Sequence, residues 1–198
     1  SAQSYDENMA EDAYFNWAKL AFDINHDPSV FNDYLKKYPV KEQSDRINNY
    51  IAVAALYDRD YATAIEAYDR IDELDDGMVL NYMKANYLRA NQLVSSGSYR
   101  LAIPCLKASA YYSDKSSRFN QLSRFWLAES YYRNDQYDDA IGVFENLYNT
   151  QALYRQPESY VIPYCIGYSH YKKGAYGAAM KWFDIYLEDN HDHLYRKE

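Results

Sequence analysis

Basic residues are scarce in this sequence: 21 Lys and Arg stand against 29 Asp and Glu, a net charge of −8. A phosphate backbone is held by clustered Lys and Arg, so this balance argues against a nucleic-acid partner. It mildly favours neutral or basic ligands instead. Long apolar runs are missing too. The longest aliphatic stretch, Ile51 to Leu56, is far too short to cross a bilayer, and no signal peptide is visible. Cysteine is limited to Cys105 and Cys165, 60 residues apart, which excludes a CxxC redox motif or a zinc knuckle. Both lie among apolar residues and read as small buried hydrophobes before they read as a disulfide, leaving the redox compartment open.

The chemistry of catalysis is equally thin. Neither a Gly-rich phosphate loop nor a GxSxG elbow occurs. Of the four histidines, His191 and His193 stand with Asp189 and Asp192 in a polar tail, which lacks the rigid frame a closed metal site needs. His170 falls beside the packing face of a helix and reads as structural, and His26 lies in a loop with no Ser or Cys nucleophile near it in sequence. The acidic pairs Asp75-Asp76, Asp138-Asp139 and Glu188-Asp189 fall in turns or at helix ends. Asp138 and Asp139 open a helix, where its dipole stabilises negative charge. No catalytic residue, metal or cofactor is expected.

What the chain has is tyrosine, 25 residues against 7 Phe and 3 Trp. The ring is apolar and the tip polar, so Tyr can line a wet surface or edge a core. It also has a repeat. Tyr61, Tyr99, Tyr137 and Tyr176 are spaced by 38, 38 and 39 residues. Three positions after each stands Ala64, Ala102, Ala140 or Ala179, followed by Ile65, Ile103, Ile141 or Met180. Four residues after each alanine comes Tyr68, Leu106, Phe144 or Phe183, and twelve before it comes Ala52, Ala90, Ala128 or Gly167. Four copies at one period mark a repeat architecture.

Each copy reads as two amphipathic helices joined by a tight turn. Leu122, Phe125, Trp126, Ala128 and Tyr132 recur at three- and four-residue steps; Arg133 to Gln136 interrupts them, and Tyr137, Ala140, Ile141, Phe144 and Leu147 resume. Gly97 and Gly174 occupy the turns of the third and fifth pairs, where a left-handed backbone costs least. The small residues permit close approach of the two helices. No segment alternates with period two over a useful length, so strands are not expected. Ala128 through Ile141, and nearly as well Gly167 through Met180, resembles the tetratricopeptide repeat. The departure is length: that family's period is 34 residues, and the surplus here must fall between one pair and the next.

The resemblance implies an all-α fold, a right-handed superhelical stack of about five helix pairs within a single domain: 11–39, 44–75, 78–113, 118–150 and 159–189. The first pair is degenerate, with Tyr14, Trp17, Ala18 and Ala21 on one face of Glu11 to Phe22, a start at Pro28 and a close at Tyr38-Pro39. Residues 1–8 and 190–198 are polar and are expected to fray. Pro163 is expected in the first turn of a helix capped by Ser159, and Pro104 about two turns inside its helix, where it should kink it.

The resemblance also implies a concave face lined by first helices. Its positions carry over to Asn49, Val53, Leu56 and Tyr57; Tyr87, Asn91, Val94 and Ser95; Phe125, Glu129, Tyr132 and Arg133; and Tyr164, Tyr168, Tyr171 and Lys172. Such a surface suits a peptide or protein partner, since Tyr gives contact area at small entropic cost and interface hot spots favour Tyr and Arg. Asn49 stands where the family's clamp for acidic tails needs Lys, so that ligand is not expected. The chain is also similar to tyrosine-heavy repeat proteins of the bacterial envelope, which implies a periplasmic or membrane-surface location, with the cytoplasm as the alternative. The last pair ends without an obvious polar capping helix, which fits a piece of a longer array. Two other readings fit the pattern: the non-catalytic arm of an enzyme such as a glycosyltransferase, and a self-assembling module whose repeat ends stack.

Overall fold

The computed structural model describes residues 2–25, 27, 29–38 and 41–189, with side chains from residue 7 to 188 apart from 26, 28 and 39–43. His26, Pro28, Pro39, His191, His193, Asp192 and the tail after Asp189 lie outside the described residues. Among the described residues ten helices follow in chain order: α1 Ala2–Asn25, α2 Ser29–Lys37, α3 Lys41–Tyr57, α4 Tyr61–Tyr68, α5 Asp76–Ser95, α6 Tyr99–Tyr112, α7 Arg118–Arg133, α8 Tyr137–Asn149, α9 Pro157–Lys172 and α10 Tyr176–Asp189. No strand occurs among the described residues. The chain divides into two compact units, 1–85 and 86–198, with the boundary inside α5.

The repeat signature has a backbone basis in the turns. In four hairpins the turn is three residues, 58–60, 96–98, 134–136 and 173–175. Each has a left-handed middle residue: Arg59 (φ 59°), Gly97 (φ 73°), Asp135 (φ 58°) and Gly174 (φ 75°). The N–H after it reaches five residues back, from Asp60 to Ala55 O (2.8 Å), Ser98 to Leu93 O (2.7 Å), Gln136 to Tyr131 O (2.9 Å) and Ala175 to His170 O (2.9 Å). That is the helix-ending motif in which a left-handed residue satisfies the last carbonyls. The connections between pairs are longer, 69–75, 113–117 and 150–156. The residues beyond a 34-residue period therefore sit where the sequence put them.

The small residues are all interior. Ala52, Ala90 and Ala128 are fully buried, as are Ala64, Ala102 and Ala140. At the fifth pair the crossing is tighter still: a Cβ on Gly167 would stand 2.8 Å from the Phe183 ring and 3.3 Å from Ala179 O. Even a methyl group does not fit there without moving Phe183.

In unit 1, α1 packs on α2 and α3 on α4. Phe15, Phe22, Phe31 and Tyr34 share a core with Ile47, Ile51 and Tyr68. Tyr34 is wholly enclosed and satisfies its hydroxyl by donating to Glu11 Oε1 at 3.0 Å. In unit 2, Ala90 and Leu93 share a core with Ala102, Leu106, Ala128, Phe144 and Ile166, and α6 packs on α7, α7 on α8, α8 on α9 and α9 on α10.

Two expectations are corrected. Residues 2–8 are helical and form the start of α1, and no Gly or Pro interrupts residues 1–25. Pro163 is not in a first turn: α9 starts at Pro157 behind an extended Gln156, leaving Pro163 buried in the helix interior. Pro157 is the better first residue, since its missing N–H would be unpaired there anyway. Pro104 does lie inside α6.

Candidate functional site

The carried-over positions fall in both units and do not behave alike. In unit 1, Asn49, Val53 and Leu56 are half-buried along α3, and Tyr57 at its end is 85% exposed. In unit 2, the Tyr87 ring lies against Phe119 with centroids 4.4 Å apart, Asn91 and Val94 are half-buried, and Ser95 is exposed. Phe125 is a correction to the expected surface. It is 6% exposed, edge-on to Phe144 (5.7 Å) and Trp126 (5.5 Å). Its ring meets Phe144 of the hairpin partner α8, so Phe125 is core, whereas Tyr164 at the same register stays half-buried.

The remaining residues of α7 and α9 are brought together. Tyr132 meets Tyr168 edge to face at 6.2 Å; Tyr168 in turn neighbours Tyr164 (5.5 Å) and Tyr171 (5.8 Å), and Tyr171 reaches Tyr176 (5.6 Å). Phe183 and Tyr186 back Tyr164 from α10 at 5.9 and 5.6 Å. These are the separations at which aromatic rings attract beyond simple burial. The helical period builds the ladder: 164, 168 and 171 are steps of four and three along one face of α9.

Charge flanks the rings. Arg133 Nε donates to Glu129 Oε1 at 2.8 Å, and its guanidinium lies 5.8 Å from the Tyr132 ring. Lys172 Nζ stands 5.9 Å from the Tyr168 ring. Burial, then neighbouring Tyr168, pushes the Tyr132 hydroxyl up to about 12, so it remains a neutral donor throughout the physiological range. Burial likewise holds the Cys165 thiol far above its usual value. Neither Cys165 nor Cys105 is in a disulfide and, as a thiol kept protonated, Cys165 is a poor nucleophile.

One feature escaped the sequence pattern. A cavity of about 630 Å³ opens beside the α8–α9 connection, lined by Tyr148, Gln151, Tyr154, Arg155 and Tyr160 among others. Gln151, Leu153 and Arg155 there are all left-handed (φ 50–60°), and buried Leu153 anchors the loop, its N–H donating to Gln121 Oε1 at 3.0 Å. The run Gln151 to Gln156 carries no Gly to announce such a backbone. Among the described residues, no group of three or more His, Cys, Asp or Glu could hold a metal ion. No helix among them is long and apolar enough to cross a membrane.

Hairpins with a shared turn, shared small-residue crossings and consecutive packing define an all-α repeat protein of the α-solenoid class. Residues 87–159 match the sequence model of the tetratricopeptide repeat family. Among solved structures, the apo form of RapI is 13% identical and superposes with a TM-score of 0.52, over 92% of this chain and 70% of that one. MamA residues 41 to the end from Desulfovibrio magneticus RS-1 is 18% identical with a TM-score of 0.47, over 93% of this chain and 97% of that one. YrrB, described as a TPR protein with an unusual peptide-binding site, is 15% identical with a TM-score of 0.48, over 98% and 93%. No curated protein matches the chain. Residues 87–159 thus resemble the tetratricopeptide repeat, and the likeness to RapI is one of fold alone.

Proposed function

We propose that this protein is a non-catalytic interaction scaffold that holds a peptide or protein segment on the α7–α9 tyrosine ladder. The observation that supports it most is the ladder itself: Tyr132, Tyr164, Tyr168 and Tyr171 form a continuous ring surface that keeps partial solvent access. Rings fixed by their neighbours lose little freedom on binding, which lowers the entropic cost of association. Glu129, Arg133 and Lys172 at its border supply polar contacts that set register. The tetratricopeptide-repeat match over 87–159 covers α7 and supports an interaction role.

A location at the bacterial envelope belongs to the same proposal, supported by the tyrosine-heavy repeats; fractionation of the host with an antibody to this chain tests it. The binding site is tested by selecting peptides from a displayed library on the 198-residue chain and measuring the best by fluorescence polarisation. Tyr168→Ala should weaken that peptide at least about tenfold, the scale of one aromatic hot spot, while leaving the melting curve close to wild type. Equal affinity for the variant overturns the assignment.

A further inference from the structure

The connection between α8 and α9 departs from its sisters. Residues 69–75 make a link of the same length as 150–156, and 113–117 a shorter one. Among the described residues of these three connections, only Gln151, Leu153 and Arg155 have a left-handed backbone, with φ of 50°, 60° and 60°. None is glycine, so each sits where a side chain costs energy. The run is pinned. Ala152 and Leu153 are buried, Ala152 N–H donates to Leu147 O at 2.9 Å, and Gln156 N–H donates to Leu153 O at 2.7 Å. With those two side chains enclosed, Gln151, Tyr154 and Arg155 are left exposed, and all three line the adjoining cavity of about 630 Å³. A link of this length needs no strain, and strain that persists without need gathers where a site is shaped.

The lining combines three rings, two side-chain amides and a single charge. Tyr148 is held edge-on to Trp182 of α10 with centroids 5.3 Å apart, whereas Tyr154 is 64% exposed and Tyr160 41%. The amides are those of Asn149 and Gln151. Arg155 is the only charged residue in the lining among the described residues. Its guanidinium lies 5.2 Å from the Tyr154 ring, and it has no carboxylate partner among the described residues. Glu158, the nearest carboxylate along the chain, does not line the cavity. In a chain of net charge −8, a cavity whose one charge is positive and unpaired favours an anion. Every lining residue falls within 148–163, inside the run of packed helices from α7 to α10.

We infer that this cavity binds a short acidic saccharide, a chain of about two or three hexuronate rings, in the size range of small-ligand sites. Each part of the lining matches a part of such a ligand. The polarised C–H face of a sugar ring stacks on the electron-rich face of a tyrosine. Sugar hydroxyls both donate and accept hydrogen bonds, and the Asn149 and Gln151 amides offer both. A carboxylate takes paired N–H bonds from a guanidinium, which Arg155 supplies. Other ligands match only in part. A neutral saccharide leaves Arg155 unused, and a small dicarboxylate makes no use of the rings. An aromatic acid leaves the amides unpaired, which costs affinity. The site is separate from the tyrosine ladder, and the inference does not require it.

Titration of the 198-residue chain with trigalacturonate, followed by amide shifts in a proton–nitrogen spectrum, tests it. Shifts should concentrate within 148–163. The methyl ester of the same trisaccharide keeps the rings and loses the charge, and succinate keeps the charge without the rings. Each should bind at least about tenfold more weakly than trigalacturonate. Arg155→Gln and Tyr154→Ala change exposed side chains, so each should keep the wild-type melting curve while weakening trigalacturonate at least about fivefold. An absence of shifts up to about 10 mM, or shifts centred away from 148–163, overturns the inference. So does equal affinity in either variant, or equal affinity for the ester or for succinate. The ester and succinate arms use the unaltered chain, so they decide the matter even if a variant folds poorly.

Discussion

Two sets of tyrosines, one in each unit, stand in opposite settings. In unit 1, Tyr34 and Tyr68 are fully enclosed, and Tyr34 lies among Tyr14, Phe15 and Tyr38 with centroids 5.2–5.9 Å apart. In unit 2, Tyr132, Tyr164, Tyr168 and Tyr171 make comparable ring contacts but keep a solvent-facing edge. Ring-to-ring distance therefore does not distinguish a core from a docking surface. Nor does register against the small residue: Phe125 and Tyr164 both stand three before it, yet Phe125 is buried and Tyr164 only half-buried.

The largest test of this contrast is Ala128→Arg in unit 2. Overpacking costs about 1–3 kcal/mol and an unpaired buried charge adds several more, so a loss above about 4 kcal/mol is expected. Denaturant melts measure it, and amide exchange should quicken most within 86–198. A loss under 1 kcal/mol would mean that the crossing is not close-packed. Tyr34→Ala comes next. It should cost about 3–4 kcal/mol, the scale for removing a buried aromatic, and leave peptide affinity at the ladder unchanged. Tyr168→Ala should show the reverse, with the stability change under about 1 kcal/mol. If both tyrosines cost the same stability, the contrast between the units fails.

Two glycines give smaller effects. Gly167→Ala should destabilise by about 1–2 kcal/mol despite alanine's better helix propensity, because Phe183 occupies the space a methyl needs. At the turns, Gly97→Ala should cost about 1 kcal/mol, whereas Arg59→Gly should be neutral or gain a few tenths, as its φ of 59° already strains a side-chain-bearing residue. The smallest effect is spectroscopic. Because Tyr132 has its pKa raised to about 12, the folded state holds a proton that the unfolded chain releases near 10. The stabilisation it brings is present below pH 10 and is lost as pH rises from 10 to 12. Ultraviolet titration of Tyr132→Phe should lack one late-ionising phenol; an unaltered curve would place that hydroxyl in solvent.

Much of the fold was legible because its signals are local. The Tyr–x–x–Ala register marks the second helix of the last four pairs, the small residue twelve positions earlier marks their first helices, and glycine flags two of the four turns. The Arg59 and Asp135 turns carry no such flag, yet adopt the same left-handed geometry because both ends of the hairpin must be met in three residues. Pro163 was misplaced because two prolines competed for the start of α9, and helix context favoured Pro157. Phe125 looked like a surface residue because sequence supplies the period of a helix but not the direction of its partner.

The sequence alone determined the helical hairpins, their spacing and their buried alanines, since these depend on periodicity and side-chain volume within about forty residues. Tertiary structure decided which tyrosines face solvent, why Gly167 admits no methyl, and where the loop from Gln151 to Gln156 opens a cavity. Exposure is a property of what packs against a helix, and a helix's own residues do not encode that neighbour.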